Sequence, residues 1–471
     1  MREEFLYQRL ADDLIKAIRR GVYAPKEKLP SIRSLCKQYK VSMATVLEAL
    51  NRLEESGLAQ AKPRSGYFVT AVATAEEPAV SRPAKKALPV SVGQLAMELV
   101  QEARSDRLIK LGAAVPGPDM LPGRLLARSS AAVIRQSPDS AIYYENARGN
   151  TALRRYIARL MGLAGCKTSP DDIIITNGCL EALNLALRAV AKRGDTIAIE
   201  SPTYFGILQV IETLGMKALE IPTHPGTGIE LAALQLALEK HKIAACVLMP
   251  TFSNPLGSCM PESHKQTLVR TLIQNNIPLI EDDIYGGLSF SSPRPKAAKA
   301  FDHEGQVIYC SSFSKTIAPG FRVGWMIPGQ FMESVAYAKF LDNISTSTLP
   351  QLTLAEFLSK GRYSRYLQQS AATYQFRVQQ LRHWISEYFP VHTRISNPQG
   401  GFVLWIELPQ SVDCMELYRR AMNRKISISP GIIFSAQSRY RHHIRMSCGF
   451  VEGETARKAV KVLGQIAHEL V

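Results

Sequence analysis

At 471 residues with 46% hydrophobic side chains, the chain is too long for one ordinary domain and can bury a large core in two or three. Its net charge of +16 suggests a polyanionic partner, and residues 1–70 alone carry 13 Lys/Arg against 8 Asp/Glu. Eight scattered cysteines without a Cys-x-x-Cys pair argue against a metal or disulfide framework, and the absence of a long apolar run argues against a signal peptide or membrane span, so a soluble cytoplasmic protein with reduced thiols is expected.

The first elements follow from a helical rhythm. Leu6, Leu10, Leu14 and Ile18 predict one amphipathic helix, ended by Gly21. Pro25 and Pro30 bracket a turn, and Ser31 caps a short helix through Tyr39. Ser42 caps a third helix, with Val46, Ala49, Leu50 and Leu53 facing inward and Gly57 closing it. Two strand-like pieces, 58–61 and 67–70, flank Lys62-Pro63-Arg64-Ser65-Gly66. Three helices and a hairpin describe a winged helix-turn-helix over residues 1–70.

In such a module the third helix meets a duplex with its first turn, here Ser42, Met43 and Thr45. Hydroxyls and backbone N–H groups at a helix start suit phosphate, and Arg33 on the preceding helix can reach phosphate or a guanine edge. Lys62, Arg64 and the flexible Gly66 occupy the wing tip. The same rhythm also fits a helical packing module with a charged face; periodicity alone does not separate the two.

Residues 71–90, rich in Ala, Pro and charge, read as an interdomain linker of modest stiffness, with a short helix near 94–103 after it. The second domain is expected over 91–471. Its apolar runs Ile173-Ile174-Ile175, 196–199, 244–249, 277–280 and 307–309 alternate with helical stretches, as a buried, mostly parallel sheet does. Long helices after Leu352, then strands at 401–408 and 443–448, suggest a smaller α+β C-terminal lobe.

Five turns in this domain carry chemistry. Lys315, in Ser311-Ser312-Phe313-Ser314-Lys315, follows a buried strand and has hydroxyls beside it, which suits an imine with an aldehyde cofactor whose phosphate the hydroxyls hold. Thr176-Asn177-Gly178-Cys179 turns a strand into a helix whose free N–H groups form a phosphate cradle. Tyr204, in Ser201-Pro202-Thr203-Tyr204, can stack on an aromatic ring; Asn254, in Ser253-Asn254-Pro255, can donate to a phenolic oxygen. Asp282, in Glu281-Asp282-Asp283-Ile284-Tyr285, ends a hydrophobic strand, where a carboxylate is costly unless a cation such as a protonated pyridine meets it. Taken singly, four of them have plainer readings: a solvated loop lysine, an ordinary strand–helix glycine, a core aromatic, an acidic surface turn.

The wording of the two halves goes further. The text from Gly21 to Leu35, with Val41-Ser42-Met43-Ala44-Thr45-Val46 and Arg64-Ser65-Gly66-Tyr67-Phe68-Val69, closely resembles the winged-helix domain of GntR-type bacterial transcription factors. Met43 departs from it, standing where that family often has a polar or basic residue. In order and spacing, the five turns resemble fold-type I aminotransferases over roughly 105–471. That resemblance implies pyridoxal 5'-phosphate as cofactor, with Lys315 as the catalytic residue forming the internal aldimine and Asp282 on the pyridinium nitrogen. It implies Tyr285 and Asn254 on the ring oxygen, and Tyr204 stacked on the ring. Gly178, Cys179, Ser312, Ser314 and Arg322 would hold the phosphate, Cys179 through its backbone alone. Tyr144, in Tyr144-Glu145-Asn146-Ala147-Arg148-Gly149, matches the tyrosine that reaches the neighbouring subunit's phosphate. Arg445 matches the arginine that clamps a ligand α-carboxylate.

A GntR-like reader fused to an aminotransferase-like domain resembles the MocR subfamily of regulators over the whole chain. The resemblance implies a homodimer that binds promoter DNA and senses pyridoxal phosphate or an amino compound, bacterial, cytoplasmic and nucleoid-associated when bound. The rival is a working aminotransferase with an appended DNA-binding domain, since Lys315, Asp282 and Arg445 are all retained. A purely structural protein fits neither end.

Overall fold

The leucine rhythm near the N-terminus builds a small core. In α1 (Leu6–Arg19), Leu10, Leu14 and Ile18 are buried against Val46, Ala49, Leu50 and Leu53 of α3 (Met43–Glu55), while Leu6 at the helix start stays exposed. The side chain of Ser31 accepts from the Ser34 amide and caps α2 (Ile32–Tyr39). Strands β1 (Ala59–Lys62) and β2 (Gly66–Val69) pair antiparallel as the wing, and Glu27 to Leu29 adds backbone bonds along β2. The computed structural model describes residues 6–19, 22–23, 27–55, 58–62, 65–69, 75–102, 105, 107–450 and 453–471. Gly21, Pro25, Gly57 and Arg64 lie outside the described residues.

The remaining strands are β3 (Leu88–Pro89), β4 (Ile109–Lys110), β5 (Ile174–Thr176), β6 (Thr196–Ser201), β7 (Lys217–His224), β8 (Gly228–Ile229), β9 (Ile243–Leu248), β10 (Leu279–Asp282), β11 (Val307–Ser312), β12 (Gly324–Ile327), β13 (Arg394–Ile395), β14 (Val403–Glu407), β15 (Ile426–Ser427), β16 (Ser429–Pro430) and β17 (His443–Ser447). A nine-stranded sheet runs β3-β7-β6-β9-β10-β11-β12-β5, with β8 on β7. Strands β7, β6, β9, β10 and β11 are mutually parallel; β12 opposes both β11 and β5. Their branched residues are buried because helices cover both faces, so the runs show no polar alternation.

Five turns leave this sheet at the same edge, the carboxyl ends of β5, β6, β9, β10 and β11, which is where open α/β sheets bind ligands. A four-stranded antiparallel sheet, β13-β14-β17-β16, forms the smaller lobe with the Tyr363–Tyr388, Cys414–Asn423 and Gly453–Glu469 helices. Strand β4 pairs parallel with β15, which carries residues 109–115 across to this lobe and over the carboxyl edge.

The Ala/Pro-rich segment ahead of these strands is extended and pinned. Glu76 O accepts from Ile395 N at 2.9 Å, Ala79 N donates to Glu407 Oε2 at 2.8 Å, and β3 adds an antiparallel edge to β7. The helix after it spans Gly93–Glu102.

Candidate functional site

The carboxyl-edge turns enclose a cavity of about 350 Å³, lined by Lys315, Asp282, Tyr285, Asn254, Tyr204, Cys179, Ser312, Ser314, Arg322 and Arg445. Lys315 ends a single 3-10 turn after β11, and its Nζ donates to Ala114 O at 2.6 Å. The ammonium also lies 5.9 Å from the centroid of the Tyr285 ring.

The acidic run at the end of β10 is sorted by partners. Glu281 accepts from the amides of Ala298 and Lys299, at 2.7 and 2.8 Å. Asp283 takes Arg294 Nη2 at 2.6 Å and the Tyr309 hydroxyl at 2.7 Å. Asp282 receives the Cys179 thiol at 3.4 Å and the Ile284 amide at 3.1 Å, both on Oδ1. Its Oδ2 accepts from none of the described residues. Of the three acids, Asp282 is the one that faces the cavity.

On the small-lobe side, Arg445 is buried at the middle of β17. Its Nη1 donates to Asn254 Oδ1 at 3.1 Å and its Nη2 to Ser429 Oγ at 2.9 Å and to Gly112 O. Its Nε has no partner among the described residues, nor has the Tyr285 hydroxyl. Such buried, unpaired groups cost about 1–3 kcal/mol each unless a ligand or water meets them.

The phosphate-sized end is built on glycine. Gly178 has φ +87°, a conformation strained for any residue with a side chain, and a Cβ there would lie 2.5 Å from Arg322 Nη2 and displace that guanidinium. Arg322 itself donates to Asn177 O at 3.1 Å and to Ser314 Oγ at 3.4 Å. The Cys179–Val190 helix starts here with its first amides toward the cavity, beside the Ser312 and Ser314 hydroxyls. Behind the turn, Glu181 accepts from Asn177 N at 2.7 Å and Asn177 Nδ2 at 3.0 Å, and pairs with the buried Lys339 at 3.4 Å.

Electrostatics follow from burial. Burial first, then Arg445, pulls the Lys315 amine down to about 8, with Asp282 opposing. Burial pushes the Asp282 carboxyl up to about 7 against the bonds from Cys179 and Ile284. Burial also raises Tyr204 and Tyr285 and lowers Arg445. The cavity thus holds a nucleophile near neutrality and a carboxyl short of a cation. It fits a flat ring with a cationic nitrogen at Asp282, an aldehyde at Lys315 and an anion at the Gly178 turn.

Two residues read from the sequence stand apart. Tyr144 is 75% exposed and does not line the cavity. Gly178 is in the turn rather than the wall. Conversely, sequence reasoning missed the 112–115 segment and Ser429, which wall the cavity through backbone atoms and a small hydroxyl. Among the described residues, no group of three or more His, Cys, Asp or Glu could hold a metal ion.

At the reader, Arg33, Ser42, Met43, Lys62 and Gly66 are exposed and Thr45 half-buried. The Ser42 hydroxyl accepts from Thr45 N at 3.2 Å and lies 2.8 Å from Thr45 Oγ1, so it fixes the start of α3. Lys62 sits over the Phe68 ring at 4.5 Å. Gly66 has φ +100°, with Lys28 Cε 3.3 Å from where its Cβ would be, which adds Lys28 to the cations of the wing.

Comparison with known proteins agrees with both ends. Residues 6–69 match the model for bacterial regulatory proteins of the gntR family, and residues 122–463 match aminotransferase class I and II. The uncharacterized HTH-type transcriptional regulator YjiR of Escherichia coli K12 is 38% identical over 98% of both chains. The crystal structure of Pyrococcus horikoshii kynurenine aminotransferase, in complex with PMP, superposes with a TM-score of 0.75 at 27% identity over 80% of this chain and 94% of that one. That of LysN, the α-aminoadipate aminotransferase of Thermus thermophilus complexed with N-(5'-phosphopyridoxyl)-L-leucine, gives 0.74 at 26% over 81% and 95%.

Proposed function

The chain belongs to the GntR-type helix-turn-helix transcriptional regulators that carry an aminotransferase class I and II domain, and from that premise we propose that it binds pyridoxal 5'-phosphate at Lys315 and promoter DNA through residues 6–69. Its reader then responds to the coenzyme or to an amino compound bound with it. The observation that carries this reading is Asp282, a buried carboxyl in the same cavity as Lys315 whose Oδ1 alone is met by Cys179 and Ile284. Such a pair is stabilised by a ligand with a cationic ring nitrogen and an aldehyde. Bound there, the coenzyme supplies an electrophilic carbonyl and an electron-withdrawing ring.

The chain's own groups do the rest. Lys315 offers an amine that is half neutral near pH 8, and Asp282 would accept from the ring nitrogen. Tyr285 and Asn254 would donate to the ring oxygen, Tyr204 would stack on the ring, and the Gly178 turn, Cys179 N, Ser312, Ser314 and Arg322 would receive the phosphate. Arg445, partly committed to Asn254 and Ser429, clamps a ligand carboxylate. Ile142, Tyr143 and Tyr144, exposed by 87, 76 and 75%, supply apolar surface for a second copy, in keeping with a homodimer in which Tyr144 reaches the partner's phosphate. Among the described residues no helix is long and apolar enough to cross a membrane, and a cytoplasmic, nucleoid-associated place follows from the proposed DNA contact.

The test joins both ends. Purified protein mixed with pyridoxal 5'-phosphate should gain the visible absorbance of a coenzyme bound to lysine, and Lys315→Ala should lose it. Promoter-fragment retardation should change with coenzyme in the parent and not in Lys315→Ala; deletion of residues 1–69 should abolish it. An unaltered spectrum in Lys315→Ala ends the coenzyme reading, and specific retardation by the truncated chain ends the reader assignment.

Transamination at the same cavity is the second reading, favoured by the joint presence of Lys315, Asp282 and Arg445 on one wall-to-wall site. It requires a 2-oxo acid to appear when amino acid and coenzyme are supplied, detectable by mass spectrometry.

A further inference from the structure

The segment that leads from the reader to the sheet borders a second, open cavity. Residues 79–88 are held at both ends: Ala79 N on Glu407 Oε2 at 2.8 Å, Ser81 Oγ on Ser201 O at 3.3 Å, and the β3 ladder on β7. Between these points the strap and the small-lobe residues Glu407, Gln437, Arg439, Tyr440 and His443 line a space of about 580 Å³, within the roughly 300–1,000 Å³ usual for ligand sites.

Its walls are unequal in charge. Arg82, Lys85, Lys86 and Arg439 line it, and the only carboxylate in the lining, Glu407, is already met by Ala79 N and by Arg394 at 3.7 Å. Among the described residues, Arg82, Lys85 and Lys86 form no ion pair. Arg439 is fixed in place by two bonds to Gln437 Oε1, at 3.0 and 2.7 Å, and by the buried Glu220 at 3.5 Å, so the unpaired cations of the rim are Arg82, Lys85 and Lys86.

The floor is aromatic. Tyr440 is anchored through its hydroxyl to Ser201 Oγ at 2.8 Å, and the His443 ring stacks on Trp405 at 5.3 Å. His443 Nδ1 is buried with no partner among the described residues, and burial pulls the ring's basicity down to about 3, so it is neutral. A cationic rim over an apolar floor with one unsatisfied polar atom is complementary to an anion that has a body.

We propose that this cavity is a second ligand site, for a small organic anion with an aromatic or apolar body, and that its occupation fixes the strap leading to the reader. The site is separate from the coenzyme cavity but joined to it by one strand. His443 and Arg445 are two residues apart on β17 and so project from the same face, one into each cavity. The proposal goes beyond the coenzyme reading and does not depend on it.

The probe is 1-anilinonaphthalene-8-sulfonate, an aromatic anion, titrated into the full chain by fluorescence, with amide hydrogen exchange read in parallel. Saturable binding is expected, with slowed exchange across 79–88. The exposed double change Lys85→Glu/Lys86→Glu should weaken it by about tenfold or more, and Lys315→Ala should leave it unchanged. Equal affinity in the double variant, or protection confined to other segments, overturns the proposal. So does loss of promoter binding in the double variant with the probe still bound as in the parent, because the lysines then serve DNA.

Discussion

Three consecutive acids at the end of β10 have different partners; burial raises both Glu281 and Asp282, but only Asp282 faces the cavity. Glu281 has two amides and Asp283 a guanidinium, whereas Asp282 has a thiol and one amide for a buried carboxyl. Its ionised form is therefore a stability cost in the absence of a cation. The carboxyl is raised to about 7 in the fold, against about 4 in an unfolded chain, so the folded state binds more protons between those values. Stability then falls as pH rises through that window, and the full penalty stands above pH 7. Asp282→Asn keeps the Oδ1 acceptor and removes the charge. Without coenzyme it should stabilise the protein by about 2 kcal/mol at pH 8, the gain shrinking toward zero near pH 4–5. Thermal melts at the two pH values check this. The same variant should lose pyridoxal 5'-phosphate on dialysis faster than the parent, because the ring nitrogen has lost its counter-charge.

At the scale of elements, the Gly178 turn is held from behind by Glu181, and Glu181 by Lys339 of the Met332–Asn343 helix, which is 1% exposed, and by Asn343. Glu181→Ala would leave the buried Lys339 ammonium with only the neutral Asn343 oxygen and free the Asn177 amide, so a loss of about 3 kcal/mol is expected in urea unfolding. Adding Lys339→Met should recover most of that stability but not coenzyme retention, because the turn still lacks its acceptor; recovery of both would make the latch purely structural. What could be read beforehand follows the same division. Caps and periodicity gave α1, α2 and α3, and branched runs gave the parallel strands, because these patterns are local. The sheet-end turns were legible because glycine, lysine and carboxylate are scarce in such places. Backbone partners were not: Ala114 O on Lys315 and the pinning of 75–90 depend on main-chain atoms that every residue shares. The side chain of Cys179 was set aside for lack of a hydroxyl, yet its thiol reaches Asp282.

For the molecule as a whole, the question is how +16 charges are used. Contacts to phosphate release counterions, so a reader that grips the backbone has an affinity falling steeply with salt, by a slope of about −0.9 per phosphate neutralised. Lys62 at the wing is exposed and Lys28 lies beside it, whereas Arg33 stands on α2 where it can address a base instead. The two classes separate in one experiment. In a homodimer each substitution occurs twice, so Lys62→Ala should flatten the salt slope of promoter binding by about 2 units while weakening all sequences alike. Arg33→Ala, if it reads guanine, should cost about 1–3 kcal/mol on the preferred promoter and little on unrelated DNA. Measured by fluorescence anisotropy across a salt series, a flattening of about 1 for Lys62→Ala would mean that only one module is engaged. No change in slope would mean that the wing lysine stays off the duplex and that the charge excess is carried elsewhere.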